Sequence, residues 1–202
     1  MKGTVLFILL TLAIRVLYAQ DSNYKITGRI VNISQRKFIY LVDLNKKQLI
    51  YSSIATGNFT FLIDKNKDLD LRNLFLEDDS LKTVDFFINK LKSRETDFRR
   101  IAIENLDIQI NNSLKGAKVS GGQLNKDLDD MNMAIINKNY ESFFSNHPDS
   151  PVSLLFLRVL INLNKIEELK GMNDCKAFFN SLSEKLRESS DGKELQTKMN
   201  ES

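Results

Sequence analysis

Few side chains in this sequence have the types and spacing that chemistry requires. The 202 residues include one cysteine, Cys175, and one histidine, His147. A disulfide scaffold needs cysteine pairs, and a Cys/His zinc site needs about four such ligands, so the composition argues against both. Cys175 is a candidate reactive thiol, because Lys176 and a helix N-terminus would stabilise its thiolate. The alternative, which we favour, is a small buried apolar residue.

His147 and two acidic clusters are the other candidates. His147 could act as a general base, but no G-x-S-x-G elbow accompanies it, so we interpret it as a turn residue. The acidic clusters, residues 77–79 and Asp127 with Asp129 and Asp130, match no calcium-binding loop and are interpreted as solvated faces. We therefore predict no catalytic residue, no cofactor and no metal site, and we expect that the chain is not an enzyme.

The first residues are typical of a secretion signal. Lys2 precedes a ten-residue apolar run, residues 5–14, which is shorter than the roughly 20 residues that a membrane-spanning helix needs. Small Ala19 then predicts cleavage before Gln20. We expect a signal peptide over residues 1–19, no membrane span in the mature chain, and a periplasmic or other cell-envelope location.

The overall charge argues against one class of partner. The chain carries 29 basic and 26 acidic residues, a formal net charge of +3. A dedicated nucleic-acid binder shows a strong basic excess, so we expect no nucleic acid among the partners.

Alternating apolar residues predict a β-rich domain over residues 20–122. Gly28 indicates a bulge or a close backbone approach inside the first strand. Phe59, Phe61 and Ile63 have a period of two, which places them on the core face of one strand. Tyr24, Tyr40 and Tyr51 with Phe38 could form a ligand platform, but cross-strand pairing is the favoured interpretation. The predicted strands cover residues 24–30, 37–42, 48–54, 57–63, 82–88, 98–104 and 106–110, with a charged connection over 64–73.

The hydrophobic period then becomes helical, which predicts a helical segment over residues 123–202 packing on the β-rich domain. Leu124, Leu128, Met131 and Ile135 form one apolar stripe. Ser150 is a suitable N-cap, with Pro151 at the first helical position of the next helix. Shorter helices are expected at 165–170, 174–181 and from Asp191. The predicted fold is α+β, with an antiparallel, sandwich- or meander-like β-rich half followed by a helical half.

Several segments, in order along the chain, resemble one family. The sequence is similar to the N-terminal domain of unknown function that precedes a TlpA-like thioredoxin domain in bacterial cell-envelope thiol–disulfide interchange proteins. The matching segments are Ile26-Thr27-Gly28-Arg29-Ile30, the hairpin at 39–49, Gly57-Asn58-Phe59-Thr60-Phe61, residues 105–110, residues 118–125, Asn146-His147-Pro148-Asp149-Ser150-Pro151-Val152-Ser153, Leu182-Ser183 and Gly192-Lys193-Glu194-Leu195.

The resemblance implies a domain attached to redox proteins, but the thioredoxin half with its W-C-x-x-C motif is missing from this sequence. Cys175 has no second cysteine two residues later, so the family's redox chemistry does not carry over. We expect an exported, non-catalytic interaction or accessory domain of the bacterial envelope with a protein partner. The alternative is an auxiliary redox component that acts with a separate thioredoxin-like envelope protein, through Cys175 or by docking.

Overall fold

The computed structural model describes residues 23–31, 38–54, 57–66, 68–78, 80, 82–93, 97–162 and 172–201. The chain divides into two compact units, Met1–Ser120 and Gly121–Ser202. Strands dominate the first unit and helices form the second, which confirms the predicted α+β class. The signal peptide at 1–19 and the helix expected at 165–170 lie outside the described residues. Within the described part, no helix is long and apolar enough to cross a membrane.

The first unit contains two four-stranded sheets and one described helix. One sheet has the strand order β4-β1-β7-β8, and the other has the order β3-β2-β5-β6. We call them sheet 1 and sheet 2. The elements are β1 (Asn23–Ile30), β2 (Phe38–Asp43), β3 (Gln48–Ser53), β4 (Asn58–Asp64), β5 (Leu71–Glu77), α1 (Val84–Lys92), β6 (Phe98–Ala102), β7 (Leu106–Ile110) and β8 (Lys118–Ser120).

Strand pairing departs from the expected antiparallel pattern in one ladder. β1 pairs antiparallel with β4 but parallel with β7, where Ile26 is opposite Leu106 and Gly28 is opposite Ile108. Parallel neighbours need a long crossover connection. Here the connection is the whole segment between β1 and β7, which includes sheet 2 and α1. The remaining ladders among the described strands are antiparallel.

The two sheets share one apolar core, so the sandwich alternative is correct. Sheet 1 buries every second residue of β4, and Phe59, Phe61 and Ile63 face inward as predicted. Sheet 2 differs because its central strands, β2 and β5, are buried on both faces. Ile39 and Leu41 of β2 point into the shared core, whereas the intervening β2 residues belong to a second apolar cluster.

Helix α1 covers the outer face of sheet 2, and the strand expected at 82–88 is therefore wrong. Thr83 caps the helix by accepting a hydrogen bond from the Phe86 backbone N–H. Phe87 is fully buried, with its ring 4.9 Å from that of Tyr40 and 4.5 Å from that of Phe75. The alternation of Phe86 and Ile88 indicated a strand, but the cap and the outer face of sheet 2 favour a helix.

The charged connection expected at 64–73 ends earlier than predicted, because β5 begins at Leu71. Asp70 and Arg72 suggested a solvated loop. Asp70 accepts two hydrogen bonds from Arg72, at 3.1 and 3.0 Å, so this charge is neutralised locally. Glu77 at the end of β5 is also buried rather than solvated, and it pairs with Lys90 of α1. The short strand β8 was not predicted either.

The second unit is a group of short helices. Ring stacking links its elements: the Phe144 ring lies 5.2 Å from Phe156 and 4.6 Å from Phe178. The apolar stripe at Leu128 and Met131 is buried as predicted. The described helices are α2 (Gln123–Asn137), α3 (Tyr140–Asn146), α4 (Pro151–Asn162), α5 (Met172–Ser181), α6 (Glu184–Arg187) and α7 (Ser190–Glu201).

Gly28 is the glycine whose missing side chain matters most to sheet 1. A Cβ atom there would lie 2.1 Å from Phe59 Cζ and 2.7 Å from the Ile108 carbonyl oxygen, which confirms a close approach. We expect Gly28→Ala to lower the free energy of unfolding by about 1–3 kcal/mol, because the Phe59 ring must leave its position. Urea denaturation measures the change.

Gly116→Ala is the matched control for this substitution. A Cβ at Gly116 meets nothing closer than Ser113 Oγ at 3.6 Å, which is ordinary contact. Equal losses of stability in the two variants would contradict the steric explanation.

Candidate functional site

Cys175 lies in α5 and is fully buried. Burial raises the pKa of its thiol, and the neighbouring Asp174 carboxylate raises it further. Both effects disfavour the thiolate, which is the nucleophilic form. Lys176 was expected to stabilise a thiolate, but burial and Asp174 have the stronger influence on the thiol pKa, and both raise it. The environment therefore favours the packing interpretation of Cys175.

The aromatic residues singled out in the sequence pair across strands. Tyr40 is opposite Tyr51 in the β2–β3 ladder, and their rings are 5.4 Å apart. Phe38 contacts the same Tyr51 ring edge-on at 5.8 Å. Tyr24 lies on β1 in sheet 1, so the four residues do not form one platform. Cross-strand pairing is confirmed for Phe38, Tyr40 and Tyr51.

Asp127 is buried, so its interpretation as part of a solvated face is wrong. Its residue exposure is 3%. The carboxylate accepts a hydrogen bond from Gln123 Nε2 at 2.7 Å and another from Ser150 Oγ at 2.5 Å. A buried carboxylate is tolerated when such donors replace water. Asp127 is therefore a fixed negative charge inside the second unit.

His147 connects that charge to a second carboxylate. Its Nδ1 lies 3.2 Å from Asp127 Oδ1, and its Nε2 lies 3.4 Å from Asp130 Oδ2. The imidazole also stacks on the Phe143 ring at 4.5 Å. Asp127 and Asp130 are three residues apart on α2, which places both on one helix face. One ligand atom from each of Asp127, Asp130 and His147 lies within 4.8 Å of the others.

The loop that carries His147 is held by its own hydrogen bonds. The His147 carbonyl oxygen accepts from Ser153 Oγ at 2.6 Å, and its N–H donates to the Phe143 carbonyl at 3.0 Å. Ser150 accepts from the Val152 N–H at 3.3 Å, which confirms its role as the N-cap of α4. The same hydroxyl donates a hydrogen bond to Asp127, so one side chain joins the helix cap to the buried carboxylate.

The sequence patterns around Asp127, Asp130 and His147 did not place these residues together. The two aspartates were interpreted as part of a solvated face, and His147 was interpreted as a turn residue. No periodicity relates residues 127 and 147, because their proximity depends on how α2, α3 and α4 pack. The available signal was a histidine three residues before an N-cap serine, with two aspartates on a nearby helix.

A surface depression gives access to this cluster. It has a volume of 260 Å³, and its lining includes Asp130, His147, Asn139, Ser142 and Asn146. The Asp130 side chain is 44% exposed, and that of His147 is 14% exposed. The imidazole Nδ1 faces Asp127, and its Nε2 faces Asp130 at the depression. A histidine nitrogen beside a carboxylate oxygen is a pair of groups that can coordinate a metal ion.

The first unit offers a different kind of surface, where the two sheets end. β3 is an edge strand of sheet 2, and β4 is an edge strand of sheet 1. A groove of 440 Å³ lies along them, lined in part by Ile50 of β3 and Leu62 of β4. We call this surface the β3–β4 groove. Within this groove, Leu62 is 63% exposed and Ile50 is 37% exposed.

Three of the charged residues that line the β3–β4 groove, Lys46, Asp70 and Arg72, pair with one another. Lys46 Nζ lies 3.8 Å from Asp43 and 3.9 Å from Asp70, and Asp70 also accepts two hydrogen bonds from Arg72. Asp43 further accepts from the backbone N–H groups of Asn45 and Lys46, which closes the β2–β3 turn. We call the apolar side chains Ile50, Leu62 and Ile63 the groove floor; the other described lining residues are polar or charged.

Comparisons with known proteins provide no relative for this chain. No protein-family model matches it, and no curated protein or solved structure matches it.

Burial of Cys175 leads to a prediction about thiol reactivity. In the folded chain we expect the thiol to react with a disulfide reagent far more slowly than an exposed cysteine at mildly alkaline pH. The raised pKa keeps the proton on sulfur as the pH approaches the ordinary thiol pKa, and the packing blocks access. The absorbance of the chromophore that the reagent releases measures the rate of thiol reaction, and denaturant should restore a rapid reaction. A fast reaction in the folded chain would support a reactive thiol instead.

Proposed function

We propose that this chain is an exported, non-catalytic protein-binding module of the bacterial cell envelope. The observation that carries the proposal is the β3–β4 groove, where two sheet edges present exposed apolar side chains. An uncovered apolar sheet edge is a template for pairing with another chain. The proposed partner is a protein that supplies an extended segment to β3 and an apolar side chain to the groove floor.

Strand addition suits this edge for two reasons. An added strand forms main-chain hydrogen bonds with the edge, and alternate side chains enter the neighbouring groove. Ile50 and Leu62 offer an apolar contact for such a side chain. Because the surrounding Lys46, Asp70 and Arg72 already satisfy one another, a strongly charged partner would gain little here.

The proposed location depends on the leader at residues 1–19. We expect the mature chain in the envelope fraction to begin at Gln20, because Ala19 supplies the small residue that signal peptidases require before the cleaved bond. Intact-mass and N-terminal sequencing of the chain from its native host measure this. A chain that retains Met1 in the cytosolic fraction would contradict the export proposal.

Site-specific photo-crosslinking tests the binding surface directly. A photoreactive phenylalanine at Ile50 should give a discrete adduct with one envelope protein in the native host. The same residue at Ile136, an exposed apolar position on α2, is the matched control and should not give that adduct. Leu62→Lys should abolish the Ile50 adduct, because it places a charge on the groove floor, while Ile136→Lys should leave it intact.

The crosslinking experiment also separates the proposal from the redox alternative. Strand addition does not use the thiol, so the adduct should persist in Cys175→Ser and without an oxidant. An adduct that requires Cys175 would favour a mixed disulfide with a thioredoxin-like partner. Equal labelling from Ile50 and Ile136, or none from Ile50, would overturn the assignment of the β3–β4 groove.

A further inference from the structure

We infer that the depression in the second unit binds a divalent transition-metal ion, with His147 Nε2 and the Asp130 carboxylate as its protein ligands. Asp127 acts as the positioning residue that holds the imidazole. This metal site is independent of the β3–β4 groove, because all its residues belong to the helical unit.

The spacing of the two ligand atoms fits a metal ion between them. His147 Nε2 and Asp130 Oδ2 are 3.4 Å apart. Zinc binds nitrogen and oxygen ligands at about 2.0–2.2 Å, so two ligand atoms of a tetrahedral site lie roughly 3.3–3.6 Å from each other. The ion can therefore enter with little movement of either side chain.

The imidazole is also oriented as a metal ligand requires. Metal-binding histidines usually donate their second ring N–H to a carboxylate, which fixes the tautomer and strengthens the ligand nitrogen. Here Nδ1 lies 3.2 Å from Asp127 Oδ1, and Asp127 is itself held by Gln123 and Ser150. Stacking on Phe143 restrains the ring plane. The other ring nitrogen, Nε2, then faces Asp130 at the depression.

The chemistry of the donors indicates the class of ion. One imidazole nitrogen and one carboxylate oxygen suit Zn²⁺, Co²⁺ or Ni²⁺ better than Mg²⁺ or Ca²⁺, which prefer oxygen ligands alone. Asn139, Ser142 and Asn146 line the same depression and leave room for water in the remaining positions. Neither lysine nor arginine is among the described residues that line it, so no fixed cation opposes the ion.

The test is metal binding to the full chain, purified without a histidine tag. His147 is the only histidine in the sequence, so its imidazole proton resonances report this site alone. Co²⁺ should broaden those resonances at one equivalent, and Zn²⁺ should displace it. Isothermal titration with Zn²⁺ gives the affinity, and circular dichroism checks the fold of each variant.

Three variants distinguish the effects on metal affinity of the proposed ligand, of the positioning residue and of net charge. Asp130→Asn should remove most of the affinity, because it replaces a carboxylate ligand at a half-exposed position. Asp127→Asn should weaken binding by about 10–100-fold, the usual effect of losing the carboxylate behind a histidine ligand. Asp149→Asn, at an exposed position two residues from His147, makes the same charge change and should bind like the parent chain.

Two results would overturn the metal site. The first is an imidazole spectrum that Co²⁺ leaves unchanged. The second is equal loss of affinity in Asp130→Asn and Asp149→Asn, which would indicate diffuse attraction by surface charge. Selective loss in Asp130→Asn, with His147 resonances broadened in the parent chain, supports the proposed ligands.

Discussion

Burial of β2 and β5 on both faces is the constraint on which the first unit depends. A strand that is apolar on both sides needs two covers, and a single sheet facing water would leave one side exposed. Sheet 1 covers one face through Ile26 and Ile108, while α1 covers the other through Phe87. The close approach of β4 to β1 at Gly28, and the long crossover between β1 and β7, follow from closing sheet 1 over this core.

The second unit depends on a different constraint, which is a buried carboxylate. Asp127 is acceptable inside the helices because Gln123, Ser150 and His147 surround it with polar groups. Ser150 also caps α4, so satisfying the carboxylate fixes the start of that helix and the loop before it. The hydrogen bonds that make Asp127 tolerable are thus the same ones that aim His147 toward Asp130.

The sequence patterns predicted the elements that local interactions determine and missed the features that depend on tertiary packing. β1 to β4, β6 and β7 were predicted because their alternation and turns are local, and the Ser150 cap was predicted from residue chemistry. The helix at Val84–Lys92 was mistaken for a strand because two apolar residues with a period of two occur in either structure, and the choice depends on sheet 2. β5 was missed because Asp70 and Arg72 neutralise each other only after folding. Asp127 was interpreted as solvent-exposed because the side chains that donate hydrogen bonds to it come from residues up to 23 positions away.

The two candidate surfaces lie at the sheet edges of the first unit and beside the buried carboxylate of the second unit. Among the described strands, sheet 2 ends at β3 and sheet 1 ends at β4, and the edge residues Ile50 and Leu62 are exposed there. In the helical unit, the hydrogen bonds of Asp127 and the stacking on Phe143 hold one side of the His147 imidazole, and its Nε2 is left facing Asp130. Cys175 contrasts with both surfaces, since burial raises its pKa and closes access to it. Burial of Cys175 therefore favours docking at a surface over a mixed disulfide as the route for any redox partnership of this chain.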